Sequence, residues 1–160
     1  LKLTSHTQYA IRMLMYCAKK DGLSTTKEIA KFYNLPDKFI LKVLYALSKT
    51  PYIITVRGRN GGFRLAMAAQ DIPLGEAIKT IEHDFELAEC FKESGGDCPL
   101  TNSCGLNEAL SKALQSFFDA LNEYSIHDIA TKNHNIGVLL KLQEAKKAPF
   151  IPKKDSALTE

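Results

Sequence analysis

The run from Tyr52 to Leu65 restricts the possible folds more than any other stretch of this 160-residue chain. Tyr52-Ile53-Ile54-Thr55-Val56 is rich in β-branched and aromatic residues, Arg57-Gly58-Arg59-Asn60-Gly61-Gly62 is a glycine-rich break, and Phe63-Arg64-Leu65 resumes the apolar pattern. Two short strands joined by an Asn60-Gly61 turn predict a β-hairpin, because Asn and Gly accept the positive φ angles such turns require. The hairpin carries Arg57, Arg59 and Arg64. A flexible arginine on a glycine-rich tip suits the DNA minor groove, where a narrow groove concentrates negative potential. The plain alternative is a turn with solvated arginines. A dinucleotide loop does not fit: the spacing is G-x-x-G-G rather than G-x-G-x-x-G, and no helix follows at once.

What precedes the hairpin sharpens its meaning. Tyr9, Ile11, Leu14, Met15 and Ala18 fall near helical spacing between Thr4 and Lys19, and Asp21-Gly22 ends that helix. Thr25-Thr26-Lys27-Glu28 fits a capping box. A short helix, Ile29 to Tyr33, follows and stops at Asn34. Leu35-Pro36-Asp37 opens a third helix, with Pro36 expected in the first turn, where its missing N–H is no loss. Ile40, Val43, Leu44 and Leu47 form its inward stripe, which leaves Asp37, Lys38, Leu41, Lys42 and Lys49 facing outward. Two helices, a tight turn and a basic outer face are the sequence form of a helix-turn-helix. With the hairpin as a wing, the predicted fold is mainly α: a winged helix-turn-helix followed by a long C-terminal dimerisation helix.

Charge divides the chain in the same place. Residues 1–65 carry +9, residues 66–145 carry −8 and the last fifteen carry +2. A basic first half predicts contact with a polyanion, and the acidic middle predicts a different task. No run approaches the ~20 apolar residues of a membrane span, and the opening residues, which run straight into an amphipathic pattern, are not expected to act as a signal peptide. Four cysteines in such a chain point to a reducing, cytoplasmic setting, where thiols hold metals or do chemistry rather than form disulfides.

Three of those cysteines, Cys90, Cys98 and Cys104, lie within fifteen residues of one another, in a loop that Gly95, Gly96 and Pro99 leave free to fold back. Three thiolates can hold three irons of a 4Fe–4S cube. Zinc is the main rival, but its structural sites usually show close C-x2-4-C knuckles, and none occurs here. Incidental surface thiols are the plain reading. Cys17, on the apolar face of the first helix, reads as a small buried hydrophobe. Around the trio, residues 82–97 carry six acids, Glu82 included, against Lys92 alone. Such a loop is either plainly solvated or lowers the potential of a nearby cluster.

After Cys104, Leu106, Ala109, Leu110, Ala113, Leu114, Phe117, Phe118 and Leu121 recur at spacings of three and four. Such a stripe is most often intrachain core, and part of it is expected to be. Since a winged-helix module is expected to close its own core, a helix this long is expected to pack on a second copy as well. The predicted organisation is a winged-helix domain over 1–70, a linker helix from Leu74 to Ile81 with the cysteine loop and dimerisation helix over 71–132, and a loosely ordered basic tail over 133–160.

Several motifs occur together in the order found in one family. Val56-Arg57-Gly58-Arg59-Asn60-Gly61-Gly62-Phe63-Arg64-Leu65, Asp71-Ile72-Pro73-Leu74-Gly75-Glu76-Ala77-Ile78, Cys98-Pro99-Leu100, Cys104-Gly105-Leu106 and Ser125-Ile126-His127-Asp128-Ile129 resemble the Rrf2 family of bacterial transcription regulators. Leu3-Thr4, Tyr9-Ala10 and Met13-Leu14 match it too, so the resemblance covers roughly residues 1–130. Ala88-Glu89-Cys90-Phe91 and Cys104-Gly105-Leu106-Asn107 are most similar to its rhizobial iron-regulator branch. The resemblance implies a dimeric repressor of iron-responsive genes, with no enzymatic activity and no membrane partner. Its signal would be iron, with oxygen or nitric oxide as further candidates.

Several residue roles follow from the resemblance. Cys90, Cys98 and Cys104 would hold a 4Fe–4S cluster, with conversion to a 2Fe–2S form left open. Lys38, Phe39, Leu41 and Lys42 would face base edges of double-stranded operator DNA, and Arg59 would enter the minor groove. Lys2, Thr4, Lys49 and Arg57 are phosphate candidates. The fourth cluster ligand departs from the family pattern. Where some members supply a His this chain has Asn107, and where others supply an Asp from the partner it has Gln8. Neither amide is a good iron ligand, and Gln8, Asn107, Glu89, His83, water or a small thiol remain open for that place. The competing class is a zinc-bound or metal-free winged-helix adaptor that binds proteins.

Overall fold

A computed structural model describes residues 2–88, 91 and 104–132. Helix α1, Ser5–Lys19, begins at Thr4, whose hydroxyl accepts the Thr7 N–H at 3.2 Å. Such a cap satisfies one of the donors that a helix start leaves free. Its apolar face buries Ala10, Met13, Leu14 and Tyr16 at the centre of the molecule. Helix α2, Thr26–Tyr33, is capped by Thr25, which accepts from the Glu28 N–H at 3.3 Å. It ends on Asn34, held in the left-handed region at φ 53°. Helix α3, Asp37–Leu47, buries Ile40, Val43 and Leu47, while Leu44 is half-buried. Pro36 stands one residue earlier than expected, at the cap rather than in the first turn. Its missing N–H is equally harmless there.

Strands β1, Ile53–Val56, and β2, Gly62–Leu65, pair antiparallel with Ile53 opposite Leu65 and Val56 opposite Gly62. The predicted Asn60-Gly61 turn is replaced by a wider loop over 57–61. Its turn runs from Gly58 to Gly61, closed by the Gly61 N–H on the Gly58 carbonyl at 3.0 Å. The positive φ falls on Gly58, at 122°, and not on Asn60 or Gly61. Five connecting residues relax the twist that would force a two-residue loop into a primed turn. Phe63 also exchanges both backbone hydrogen bonds with Ser24, at 2.8 and 2.9 Å, so the residues before α2 stitch the hairpin to the helices.

A 3-10 turn, Ala69–Asp71, leads to α4, Leu74–Ile81, with the bounds that its sequence predicts. Helix α5, Gly105–Asn122, starts from Cys104 as its cap, and α6, Ile126–Lys132, returns to the body of the molecule. Ser125 and Asp128 satisfy each other at the start of α6: the Ser125 N–H and hydroxyl donate to the carboxylate, and the Asp128 N–H returns to the hydroxyl at 3.1 Å. These bonds hold the exposed Asp128 carboxyl below its ordinary pKa. The Leu74 N–H on the Tyr124 carbonyl, and the Ile126 N–H on that of Ile72, clip the α5–α6 turn to the start of α4.

The core does not close within the first seventy residues. Ile72, Ala77, Ile78, Phe118, Ile126 and Ala130 join the α1–α3 cluster in one buried mass. Residue α6 side chains Ile126 and Ala130 complete it because α1 has apolar positions around most of its circumference. Helix α5 contributes differently: Phe118 is its one buried residue, and Leu106 near its start is 63% exposed. Phe118 packs edge-on against Phe85, with centroids 4.9 Å apart. At the crossing with α4, Gly75 lies so close to α5 that a Cβ would come within 2.7 Å of the Phe118 carbonyl oxygen. The Glu76 N–H donates to Asn122 Oδ1 there at 3.0 Å.

Candidate nucleic-acid interface and cysteine site

Helical geometry gathers Lys38, Leu41, Lys42 and Tyr45 onto one outward arc of α3, since neighbours three and four apart share a face. All four are exposed, Leu41 by 58% and Tyr45 by 64%. Lys49, just past the helix, is exposed and holds its ammonium 4.3 Å above the Tyr45 ring. Phe39 points elsewhere: it is half-buried, edge-on to Tyr9 at 5.5 Å. Tyr9 in turn meets Tyr33 at 6.1 Å and lies under the Arg12 guanidinium. These aromatic contacts brace α3 against α1 and α2. Arg57 and Arg59 stand exposed on the hairpin loop, and Arg64 is exposed on β2, its guanidinium on the Leu65 carbonyl.

A half-buried ionic clamp ties the end of α1 to α2. The Glu28 carboxylate accepts the Tyr16 hydroxyl at 2.6 Å and the Lys20 ammonium at 2.6 Å, and Lys20 also donates to the Leu23 carbonyl. Burial first, then the Glu28 carboxylate, push the Tyr16 phenol far above its usual range. Cys17 behaves as expected of a buried hydrophobe. Burial pushes its thiol up to about 11, partly offset by the Ser24 hydroxyl at 3.7 Å.

At the start of α1, Lys2 and Thr4 are exposed, but the Thr4 hydroxyl is engaged in capping. The Thr4 N–H donates to Glu82 Oε2 at 2.8 Å, and the Thr7 hydroxyl donates to the same oxygen at 2.8 Å. Glu82 is therefore not part of a solvated acidic loop: it is 6% exposed, at the end of α4, and closes the start of α1. Burial opposes its charge, yet the hydrogen bonds from Thr4, Thr7 and the His83 backbone outweigh it and hold the carboxyl below its ordinary value. Glu82 and Tyr45 were both missed as functional candidates. Helical spacing alone places Tyr45 on the arc of Leu41, whereas nothing local to Glu82 announces a partner 78 positions away.

Cys104 is half-buried and unpaired, at the N-cap of α5. Cys90 and Cys98, with Glu89 and the basic tail, lie outside the described residues. Among the described residues, no three His, Cys, Asp or Glu side chains gather as a metal-holding group. Gln8 and Asn107 are bonded locally, Gln8 donating to the Leu3 carbonyl and Asn107 accepting from the Ser111 hydroxyl. His83 is exposed. No helix among the described residues is long and apolar enough to cross a membrane.

The family model described as Rrf2, iron-dependent transcriptional regulator, matches residues 3–132. Protein aau3 of Rhizobium meliloti is 46% identical over 145 residues, covering 90% of this chain and 94% of that protein. The HTH-type transcriptional regulator NsrR of Bacillus licheniformis is 41% identical, covering 88% of this chain and 99% of its own length. Among solved structures, CymR, the global cysteine regulator of B. subtilis, superposes with a TM-score of 0.66 at 21% identity, over 83% of this chain and 98% of that one. That likeness carries the winged-helix fold. By its motifs, its fold and these relatives, the chain is a member of the Rrf2 family, whose members are transcription regulators rather than enzymes.

Proposed function

We propose that this chain is a cytoplasmic, homodimeric repressor that binds double-stranded operator DNA and regulates iron-responsive genes through an iron–sulfur cluster. The observation that carries the DNA half is the exposure of the basic side chains: Lys38 and Lys42 on the outward arc of α3, Lys49 just past it, and Arg57 and Arg59 on the hairpin loop. In this reading Lys38, Leu41 and Lys42 meet base edges in the major groove, with Phe39 bracing the helix from its inner side. Arg59 enters the minor groove, and Lys2, Thr4, Lys49 and Arg57 approach phosphates. Arg59→Ala is expected to weaken specific binding and to flatten the salt dependence of log affinity by about one counterion. Unchanged operator affinity at fixed salt would remove the wing from the interface.

The exposed Leu106 and the half-buried Leu110 and Leu114 support pairing of α5 with a second copy. Two-fold pairing would present two copies of α3 to half-sites about one DNA turn apart or more. For the sensor half, Cys104 supplies the structural support. Cys104 makes no side-chain capping hydrogen bond, but its place at the start of α5 sets it at the positive end of the helix dipole, which favours negative charge on a metal-bound sulfur. Cys90 and Cys98 would complete the set for a 4Fe–4S cluster. When bound, the cluster supplies an iron-dependent tie among the three thiolates. With Gln8 and Asn107 both engaged locally, the fourth place would fall to a carboxylate, water or a small thiol.

The test uses full-length protein purified without oxygen. Visible absorption and iron content should be present in the parent and absent when any of Cys90, Cys98 or Cys104 becomes alanine. Operator binding should weaken when iron is chelated. Colourless, iron-free protein that still binds its operator fully would leave a DNA-binding protein without this sensor. Protein that binds no duplex in any state would be the adaptor instead.

A further inference from the structure

Leu41 and Tyr45, one turn apart on α3, are among the most exposed large apolar side chains described, at 58% and 64%. They form a short ridge on the arc that also carries Lys38 and Lys42, and the Lys49 ammonium caps the Tyr45 ring at 4.3 Å. An apolar partner groove would have to strip water from three ammonium groups to reach this ridge, at a cost that unpaired buried charge makes prohibitive. A surface that alternates fixed negative charge with apolar groups imposes no such cost. The DNA major groove is such a surface: phosphates line its rims, and the thymine C5-methyl is the apolar group its floor offers.

Leu41 has neither donor nor acceptor, so it cannot tell bases apart by hydrogen bonding. It can distinguish a pyrimidine with a methyl group from one without. Resting on the DNA-binding reading above, we infer that Leu41, flanked by Tyr45, reads a thymine C5-methyl group in each operator half-site. Lys38 and Lys42, on either side along the helix, then supply the polar contacts to acceptor atoms or phosphates. Tyr45, with its ring fixed under Lys49, walls the methyl on the side away from Lys38. The specificity at that base pair comes from one carbon atom.

Replacing thymine with deoxyuridine removes that atom and leaves the Watson–Crick edge intact. The experiment begins by selecting preferred duplexes from a randomised library with full-length, anaerobically purified protein. The selected duplex is then resynthesised with deoxyuridine at each thymine in turn, and affinity is measured at fixed salt. One thymine per half-site should lose about fourfold on conversion, the affinity equivalent of one buried methyl, and changing both half-sites should lose about fifteenfold. Leu41→Ala, at an exposed site that leaves the fold intact, should bind the thymine and deoxyuridine duplexes equally. If no deoxyuridine weakens the parent protein, or if Leu41→Ala keeps the thymine preference, the inference is overturned while the DNA-binding reading stands. If selection enriches no sequence, the DNA-binding reading falls and this one with it.

Discussion

Truncating Phe63 to alanine should cost about 3–5 kcal/mol, the range for deleting a fully buried phenyl ring. Phe63 is 1% exposed, and its backbone exchanges both hydrogen bonds with Ser24. The ring therefore sits beneath the seam that joins hairpin to helices. Its loss leaves a cavity at the point where β2, the approach to α2 and the core meet. Against an ordinary domain stability of about 5–15 kcal/mol, that is a large fraction of the whole. Urea unfolding followed by circular dichroism should show a much lower midpoint with an unchanged slope. Thr55→Ala, directly opposite on β1 but exposed, should shift stability by less than about 0.5 kcal/mol. Equal effects at the two positions would mean that the seam is not part of the cooperative unit.

Glu82→Ala should also be damaging, by about 1–3 kcal/mol, because it removes the acceptor shared by the Thr4 N–H and the Thr7 hydroxyl and leaves the latter only Thr4 Oγ1 at 3.1 Å. Thr7 is 1% exposed, so water does not easily replace the lost carboxylate at its hydroxyl. The pH dependence has a definite sign. Glu82 has a depressed folded pKa, so its contribution is complete above the ordinary carboxyl value of 4.5 and is lost as pH falls through the lower folded value. Asp128, also depressed, acts in the same direction. The parent should therefore lose stability on acidification below about pH 4.5, and the Glu82→Ala protein should lose less over the same interval. A variant with the parent's stability and acid response would show that the Thr4–Glu82–Thr7 contact carries no weight.

The contrast between α3 and Glu82 explains how far the chain could be read unaided. The helix-turn-helix, the hairpin and α4 announce themselves through local signals: periodicity, caps, β-branched runs and glycine breaks act over a few residues. The loop at Gly58 is not legible because Asn60-Gly61 is a strong turn signal, yet β1 ends at Val56, well short of Asn60, while β2 begins at Gly62, where that turn would have it. Helix α6 spans only seven residues, too few to display a period, although Ser125 and Asp128 cap it plainly. Glu82 reads as one acid among six because its partners, Thr4 and Thr7, lie far away at the start of the sequence. At the candidate interface the outward lysines were legible from spacing, whereas the inward lean of Phe39 depends on Tyr9, a contact between helices.

The close crossing at Gly75 pins α5 near its C-terminal end, so that any tilt of the helix would be magnified at Cys104. From Asn122 back to Cys104 the helix runs about 27 Å at 1.5 Å per residue, and its buried anchor, Phe118, lies near the far end. Turning it by about 5° around that fulcrum carries the sulfur end sideways by about 2 Å. A larger side chain than hydrogen at position 75 would jam the pivot against the Phe118 carbonyl before any such stroke could be made.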